Sequence, residues 1–335
     1  MIERRWVRVS QLMVSKKNSR KKSDAVERTK PKALRSGDTI GIVAPASNIK
    51  PAELEAGCEA LRRAGYQPFF FDSILEQDLY FAGSVSRRID ELNQMFERED
   101  IRAILCARGG YGSNYLLEEF DLKELKSHPK IFIGYSDITS LLSWFGDSGH
   151  LVTFHGPMAA KDWAHAGGVE MESWQSALSR TSAWDVPLGD EVAGLVDGEA
   201  QGILAGGCLS ILVAALETAY ELDTRGTILF LEDVAAKPFQ IDRMLMQLKL
   251  AGKFDNVRGI VFGVMLDCVQ TANQSYTLQE VVTRVVGELE VPVAFGVRSG
   301  HVTSRNITLP FGVRAALAVD GGSVSLRILE ASVRA

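Results

Sequence analysis

From Gly37 onward, short apolar runs alternate with segments of helical periodicity. Strands in such a chain are covered on both faces by the helices between them, so the pattern points to an α/β fold with a largely parallel sheet. Thr39-Ile40-Gly41-Ile42-Val43-Ala44 reads as the first strand. Pro51 opens a helix with Leu54, Cys58 and Leu61 on one face, and Gly65 ends it. A second helix is expected from about Ser86, burying Ile89, Leu92 and Phe96, followed by strands at 103–106, 131–133 and 151–154. These elements make one domain, 37–160. Residues 161–200 lose the periodicity and become rich in Gly, Ser, Asp and Trp, which reads as a connection or lid. A second α/β domain, 201–335, begins with a strand and helix from Gly202 and continues with the strand Thr227-Ile228-Leu229-Phe230-Leu231. Next come a helix burying Ile241, Met244, Leu245 and Leu248, a strand at 260–262, and a helix capped by Thr277 and Glu280. A hairpin around Asp320-Gly321-Gly322 closes the chain.

Composition narrows the setting. The chain has 335 residues, 46% hydrophobic, enough for two buried cores, and no run approaches the ~18 uncharged apolar residues of a membrane span. Cys58, Cys106, Cys208 and Cys268 are far apart and form no C-x-x-C, against a disulfide framework or a zinc site and in keeping with a reducing compartment. Charge is uneven: residues 1–36 carry 12 Lys or Arg against 3 Asp or Glu, while the whole chain has a net charge of −5. This arm lacks the apolar core and cleavage site of a secretory signal, and Trp6, its one aromatic residue, does not make an aromatic interleaving for base stacking. It reads as a solvated, disordered tail rather than a nucleic-acid or membrane anchor, with Met13 as an alternative start.

Gly134-Tyr135-Ser136-Asp137 falls between a buried strand and the helical run that begins at Ile138. A serine at such a turn projects from the carboxyl edge of the sheet beside free helix amides, where a nucleophile is well placed. Its hydroxyl needs a base. Among the five histidines, His155 directly follows a strand and His301 lies in a glycine-containing loop, and both stay open. Glu232-Asp233 ends the most apolar strand of the second half, where α/β ligand sites form, and could orient an imidazole. Gly109-Gly110-Tyr111-Gly112 follows another strand and could supply an amide to an oxyanion hole or form a simple tight turn. It does not fit G-x-G-x-x-G, and Gly134-Tyr135-Ser136-Asp137-Ile138 lacks the second glycine of G-x-S-x-G.

Taken together and in order, these blocks resemble the serine L,D-carboxypeptidases of the muramoyl-tetrapeptide carboxypeptidase family, which includes the microcin C immunity proteins. The blocks are Gly37-Asp38-Thr39-Ile40 with Ala44-Pro45-Ala46-Ser47, then Arg108 to Gly112, then Gly134 to Asp137. They continue with Gly206-Gly207, Leu231-Glu232-Asp233, Pro238-Phe239 through Arg243-Met244-Leu245, Gly300-His301 and Thr308 to Gly312. The resemblance covers about residues 36–318. It implies Ser136 as nucleophile, His301 as general base, Glu232 as its orienting acid, and an oxyanion hole from the amides of Gly110 and Asp137. It implies a Rossmann-like domain followed by a smaller α/β domain, and hydrolysis without metal or other cofactor of the bond to the terminal D-alanine of recycled murein tetrapeptide. A cytoplasmic homodimer is implied too, with a murein peptide as partner and neither nucleic acid nor membrane insertion. Arg108 and Arg298 are candidates for the substrate carboxylate. Cys208 stands where many relatives have asparagine, and the basic arm lies outside the pattern.

The runner-up expectation is an immunity-type hydrolase of aminoacyl-nucleotide toxins, which an aromatic stacking platform from Trp163, Trp174 or Trp184 would favour. A non-catalytic α/β ligand-binding protein is the third, against which the intact Ser136, Glu232 and His301 argue.

Overall fold

The computed structural model describes residues 27–269 and 275–335. The basic arm up to residue 26, with Met13, lies outside the described residues; its last part is not the solvated tail expected, since Leu34 is fully buried and Arg28 pairs with Asp147 at 2.6 Å. The first sheet is built from β1 (Thr39–Val43), β2 (Gln67–Phe69), β3 (Ile101–Cys106), β4 (Ile131–Gly134) and β5 (Thr153–His155). Helices α1 (Pro51–Arg63), α2 (Val85–Glu97), α3 (Leu122–Ser127) and α4 (Thr139–Asp147) lie between them in sequence. The expected starts hold for physical reasons. Pro51 is the first residue of α1, where its missing N–H costs nothing, and Ser84 caps α2 by accepting from the Arg87 amide at 3.2 Å. All five strands are parallel, in the order β2-β1-β3-β4-β5.

Residues read as a connection contribute α5 (Met171–Ser179), β6 (Trp184–Asp185) and β7 (Ala193–Val196). Then follow β8 (Gly198–Cys208), α6 (Leu209–Ala214), β9 (Thr227–Glu232), α7 (Pro238–Leu250), β10 (Gly259–Gly263), α8 (Leu278–Val286) and β11 (Val293–Val297). The chain ends with β12 (Leu309–Phe311), β13 (Arg314–Asp320) and β14 (Ser323–Ile328). The second sheet runs β6-β14-β13-β8-β9-β10-β11-β7, with β8 to β11 parallel and the flanking pairs antiparallel. It has eight strands against six, because β6, β7 and the closing hairpin widen it.

β12 does not join that sheet. It returns to the first one and pairs antiparallel with β5, Leu309 opposite His155. The two sheets also share a core. Alternate residues of the inner strands, such as Leu105, Ile133, Ile228, Phe230 and Val261, pack into one apolar cluster that bridges both. Their neighbours Ile104, Phe132, Leu229 and Phe262 face outward onto helices. This period of two on strands buried on both faces is why the runs read as continuously apolar. No helix among the described residues is long and apolar enough to cross a membrane.

Candidate active site

Ser136 sits where β4 hands over to a single 3-10 turn, Ser136–Ile138, that leads into α4. Its φ is +63°, a left-handed conformation rare for a side chain with a Cβ, and it is half-buried. Such strain at a strand-to-helix turn holds a hydroxyl clear of the sheet. Gly109 explains why the neighbouring loop begins with glycine. A Cβ there would lie 2.8 Å from Ser136 Cβ and 3.0 Å from its Oγ, so only a bare backbone passes. Asp137 turns inward. Its Oδ2 accepts the Ser113 amide at 2.8 Å, and Ser113 Oγ donates to the Asp137 carbonyl at 2.6 Å, fastening the elbow to the Gly109–Gly112 loop. Burial pushes the Asp137 carboxyl above its usual range, opposed by these hydrogen bonds. The same loop is held from behind by the buried Arg88, whose Nη1 donates to Pro45 O at 2.7 Å and Gly112 O at 2.8 Å. Ser47 Oγ accepts the Tyr111 amide at 3.1 Å. The blocks around 44–47, 109–112 and 134–137 thus meet at the carboxyl ends of β1, β3 and β4.

Glu232 ends β9 with 1% of its surface exposed. Its Oε2 accepts twice from His301, from the backbone N–H at 3.0 Å and from Nδ1 at 2.7 Å. A carboxylate oxygen can only accept, so Nδ1 carries the hydrogen and Nε2 keeps the lone pair a base requires. Burial would raise the pKa of Glu232, but the two imidazoles near it, His155 and His301, outweigh that and bring it to about 2. For His301, burial pulls downward, and the hydrogen bond and charge of Glu232 carry its pKa above the ordinary histidine value. The His301 ring meets Tyr135, the residue before Ser136, edge-on at 5.1 Å between centroids. Elbow and imidazole therefore belong to one site, although Ser136 and His301 are not hydrogen-bonded to each other. Contacts of this kind often tighten only with substrate.

Several supporting residues were not singled out by sequence. Asn306 Oδ1 accepts the Gly300 amide at 3.0 Å, while its Nδ2 donates to Gly300 O at 3.0 Å and to Asp162 Oδ1 at 3.1 Å. This clasp fixes the turn carrying His301. Asp162, pushed up to about 6 by burial, lies in the segment read as a connection. Its signal was hidden among small polar residues. Thr139 Oγ1 accepts the Cys208 amide at 3.0 Å and ties the start of α4 to the end of β8. Cys208 itself is buried, and its Sγ lies 3.4 Å from Ser210 Oγ. His155, one of the two histidines left open, is fully buried, with Nε2 3.9 Å from Glu232 Oε1.

The two arginine candidates diverge. Arg108 follows β3 and donates from Nη1 to Asn48 O at 3.3 Å. Arg298 follows β11, and its guanidinium packs over Gly189, where an added Cβ would be 2.7 Å from Nη1. A cavity of about 670 Å³ opens beside the elbow, lined by Tyr111, Tyr115, Asp137 and Ser140 among others. Trp163, Trp174 and Trp184 are all buried, so none of them offers a ring for stacking.

Residues 40–156 match the family model described as the LD-carboxypeptidase N-terminal domain, and residues 201–317 match that of the LD-carboxypeptidase C-terminal domain. The chain is 37% identical to a probable murein peptide carboxypeptidase of Bacillus subtilis over 86% of its own length and 91% of the relative's. It is 31% identical to a murein tetrapeptide carboxypeptidase of Pseudomonas aeruginosa, covering 83% and 92% of the two chains. Among solved structures, the microcin C7 self-immunity protein MccF in its wild-type apo state superposes with a TM-score of 0.85 at 26% identity, covering 91% of this chain and 100% of that one. Both halves of the site, the strained serine elbow and the Glu232–His301 pair, fall within the matched segments, and the chain belongs to the LD-carboxypeptidase family.

Proposed function

We propose that the protein is a serine carboxypeptidase that hydrolyses the peptide bond to the terminal D-alanine of murein tetrapeptide, acting in the cytoplasm during cell-wall recycling. The observation that carries this reading is the double acceptance of His301 by Glu232 Oε2, at 3.0 and 2.7 Å, beside a serine held at φ +63°. His301 Nε2 takes the proton of Ser136 as the hydroxyl attacks the scissile carbonyl, and Glu232 stabilises the imidazolium that results. The developing oxyanion lies between the amides of Gly110 and Asp137, next to the close approach of Gly109 and Ser136. The imidazolium then protonates the leaving amine, and water, activated in the same way, releases the acyl group from Ser136. Arg108 stands beside this loop and is our candidate for the substrate's free carboxylate; Arg298, turned onto Gly189, is the weaker one.

Burial of Trp163, Trp174 and Trp184 removes the stacking platform that would have favoured an aminoacyl-nucleotide substrate. A different aromatic group, Tyr80, Tyr111 and Tyr115, is exposed along the Gly109–Gly112 loop, so both substrates belong in one assay. Wild type and Ser136→Ala are incubated with murein tetrapeptide and with an aminoacyl-nucleotide, and the D-alanine or free amino acid released is measured. D-alanine release by wild type, lost by at least ~10⁴-fold in Ser136→Ala, is expected. Release from the nucleotide alone, or undiminished release by the variant, overturns the reading.

A further inference from the structure

His155 is not used in the mechanism above, yet it faces the same carboxylate as His301. Its Nδ1 lies 3.0 Å from Ser299 Oγ, and that oxygen lies 2.8 Å from the carbonyl of Ile307. A carbonyl can only accept, and serine has one hydroxyl hydrogen, so the hydrogen goes to Ile307 and Nδ1 of His155 must donate to Ser299. The other nitrogen then decides the charge of the ring. Nε2 faces Glu232 Oε1 at 3.9 Å, and both atoms are buried without a hydrogen-bond partner. A bare Nε2 would set a lone pair against an anionic oxygen at a buried position, leaving two buried polar atoms unsatisfied. A proton on Nε2 turns this facing pair into an ion pair at 3.9 Å and leaves the hydrogen bonds of Ser299 to His155 and Ile307 in place.

We propose that His155 is held as an imidazolium, the counter-ion of Glu232, and that by carrying this proton it keeps His301 an unprotonated base. It is a positioning residue, acting through Glu232, and the inference rests on the triad proposed above. The titratable groups facing the ring are Glu232 from β9, His301 from the loop after β11 and Tyr135 from the elbow; Phe230 and Phe311 pack against it as well. Burial, the strongest influence, takes the pKa of His155 below the ordinary histidine value although Glu232 opposes it; the facing lone pairs at Nε2 and Oε1 weigh against that direction. The carboxylate is penalised by the same burial, and the opposite charge of the imidazolium offsets part of that cost. Without His155, the charge of Glu232 acts on His301 alone and draws a proton onto the ring that must accept one from Ser136.

The test is nitrogen NMR of the full-length protein carrying ¹⁵N-imidazole histidine, titrated as wild type, His155→Gln and His155→Phe, together with pH profiles of D-alanine release. At a pH above the acid limb of the profile the wild type is expected to show both His155 nitrogens protonated and Nε2 of His301 bare. In both variants the His301 midpoint is expected to rise by about one unit or more, because a neighbouring cation is lost. The acid limb of kcat/KM moves upward with it, a roughly five- to tenfold loss against wild type one unit below the variant's midpoint, while KM holds. A bare Nε2 on His155 in wild type, or an unmoved His301 midpoint in both variants, overturns the proposal. Should His155→Phe not fold, the wild-type spectrum and His155→Gln decide. The spectra need no substrate, so a wild type that releases no D-alanine overturns the proposed reaction and leaves the protonation of His155 to be judged separately.

Discussion

Gly300→Ala puts a methyl group where the site has no room for one. Gly300 has φ +92°, and a Cβ there would lie 2.6 Å from Glu232 Cδ, 2.7 Å from Oε2 and 2.8 Å from Cγ. Left-handed backbone costs an L residue about 1 to 2 kcal/mol, and relieving an overpacked contact costs about 1 to 3 more. The stability loss is therefore about 2 to 5 kcal/mol, read by urea unfolding. Ordinary contact requires the carboxylate to retreat by somewhat under about 1 Å, and misplacement on that scale lowers turnover on the order of 10²-fold. The loss is expected on kcat, measured as D-alanine release, because in the proposed mechanism Glu232 acts on the substrate only through His301. The retreat also weakens the 2.7 Å bond to Nδ1, so the acid limb of the profile moves down toward the ordinary histidine value. A Gly300→Ala protein that unfolds at the wild-type urea concentration and keeps kcat within about threefold refutes the reasoning.

Glu232→Gln removes the charge that sustains the base: kcat is expected to fall roughly 10³- to 10⁴-fold. In wild type the acid limb is expected above the ordinary histidine value, since in the proposed mechanism His301 loses its proton to act and its pKa is raised; in the variant the limb drops. Stability carries a second sign. With Glu232 held at about 2 against 4.5 unfolded, its contribution is complete above pH 4.5 and lost as the pH falls toward 2, so thermal melts should show a shallower acid decline in Glu232→Gln than in wild type. Arg88→Met leaves the carbonyls of Pro45 and Gly112 without their donor; about 2 to 4 kcal/mol of stability and a lower kcat at unchanged KM are expected, and wild-type values for both would show that Arg88 does not brace the loop.

Local signals carried much of this design. The elbow was legible because an apolar strand, a serine and an apolar helix occur in unbroken succession. Glu232 was legible because a carboxylate ended a strand with no other polar residue after Thr227. What sequence could not show is pairing across distance. β12 reads like any short strand following β11, and nothing in Leu309-Pro310-Phe311 says that it crosses to β5. Asn306 and Asp162 are unremarkable polar residues until the clasp on Gly300 brings them together. The tryptophans show the same limit: an aromatic-rich segment could have been a stacking platform or a core. Burial, with Trp174 Nε1 donating to Tyr66 Oη at 3.2 Å, decides for the core.

The crossing of β12 has a mechanical consequence. The loop that carries His301 leaves β11 in one sheet and enters β12 in the other, so both of its ends are anchored, and His155 lies at the second anchor opposite Leu309. On the other flank, Thr139 at the start of α4 holds the Cys208 amide where β8 runs beside Glu232. A rotation large enough to part Ser136 from His301 would have to break the β5–β12 pairing, the Thr139–Cys208 bond and the Ser299 bridge together, all buried. The fold thus holds the elbow and the Glu232–His301 pair in one frame, within which the Ser136–His301 contact has only to tighten, and larger adjustment to a ligand falls to parts outside it. Those are the 109–112 loop with its exposed tyrosines and the stretch near Gly189 under Arg298, and changes of substrate preference should map there while leaving the alignment of base and acid untouched.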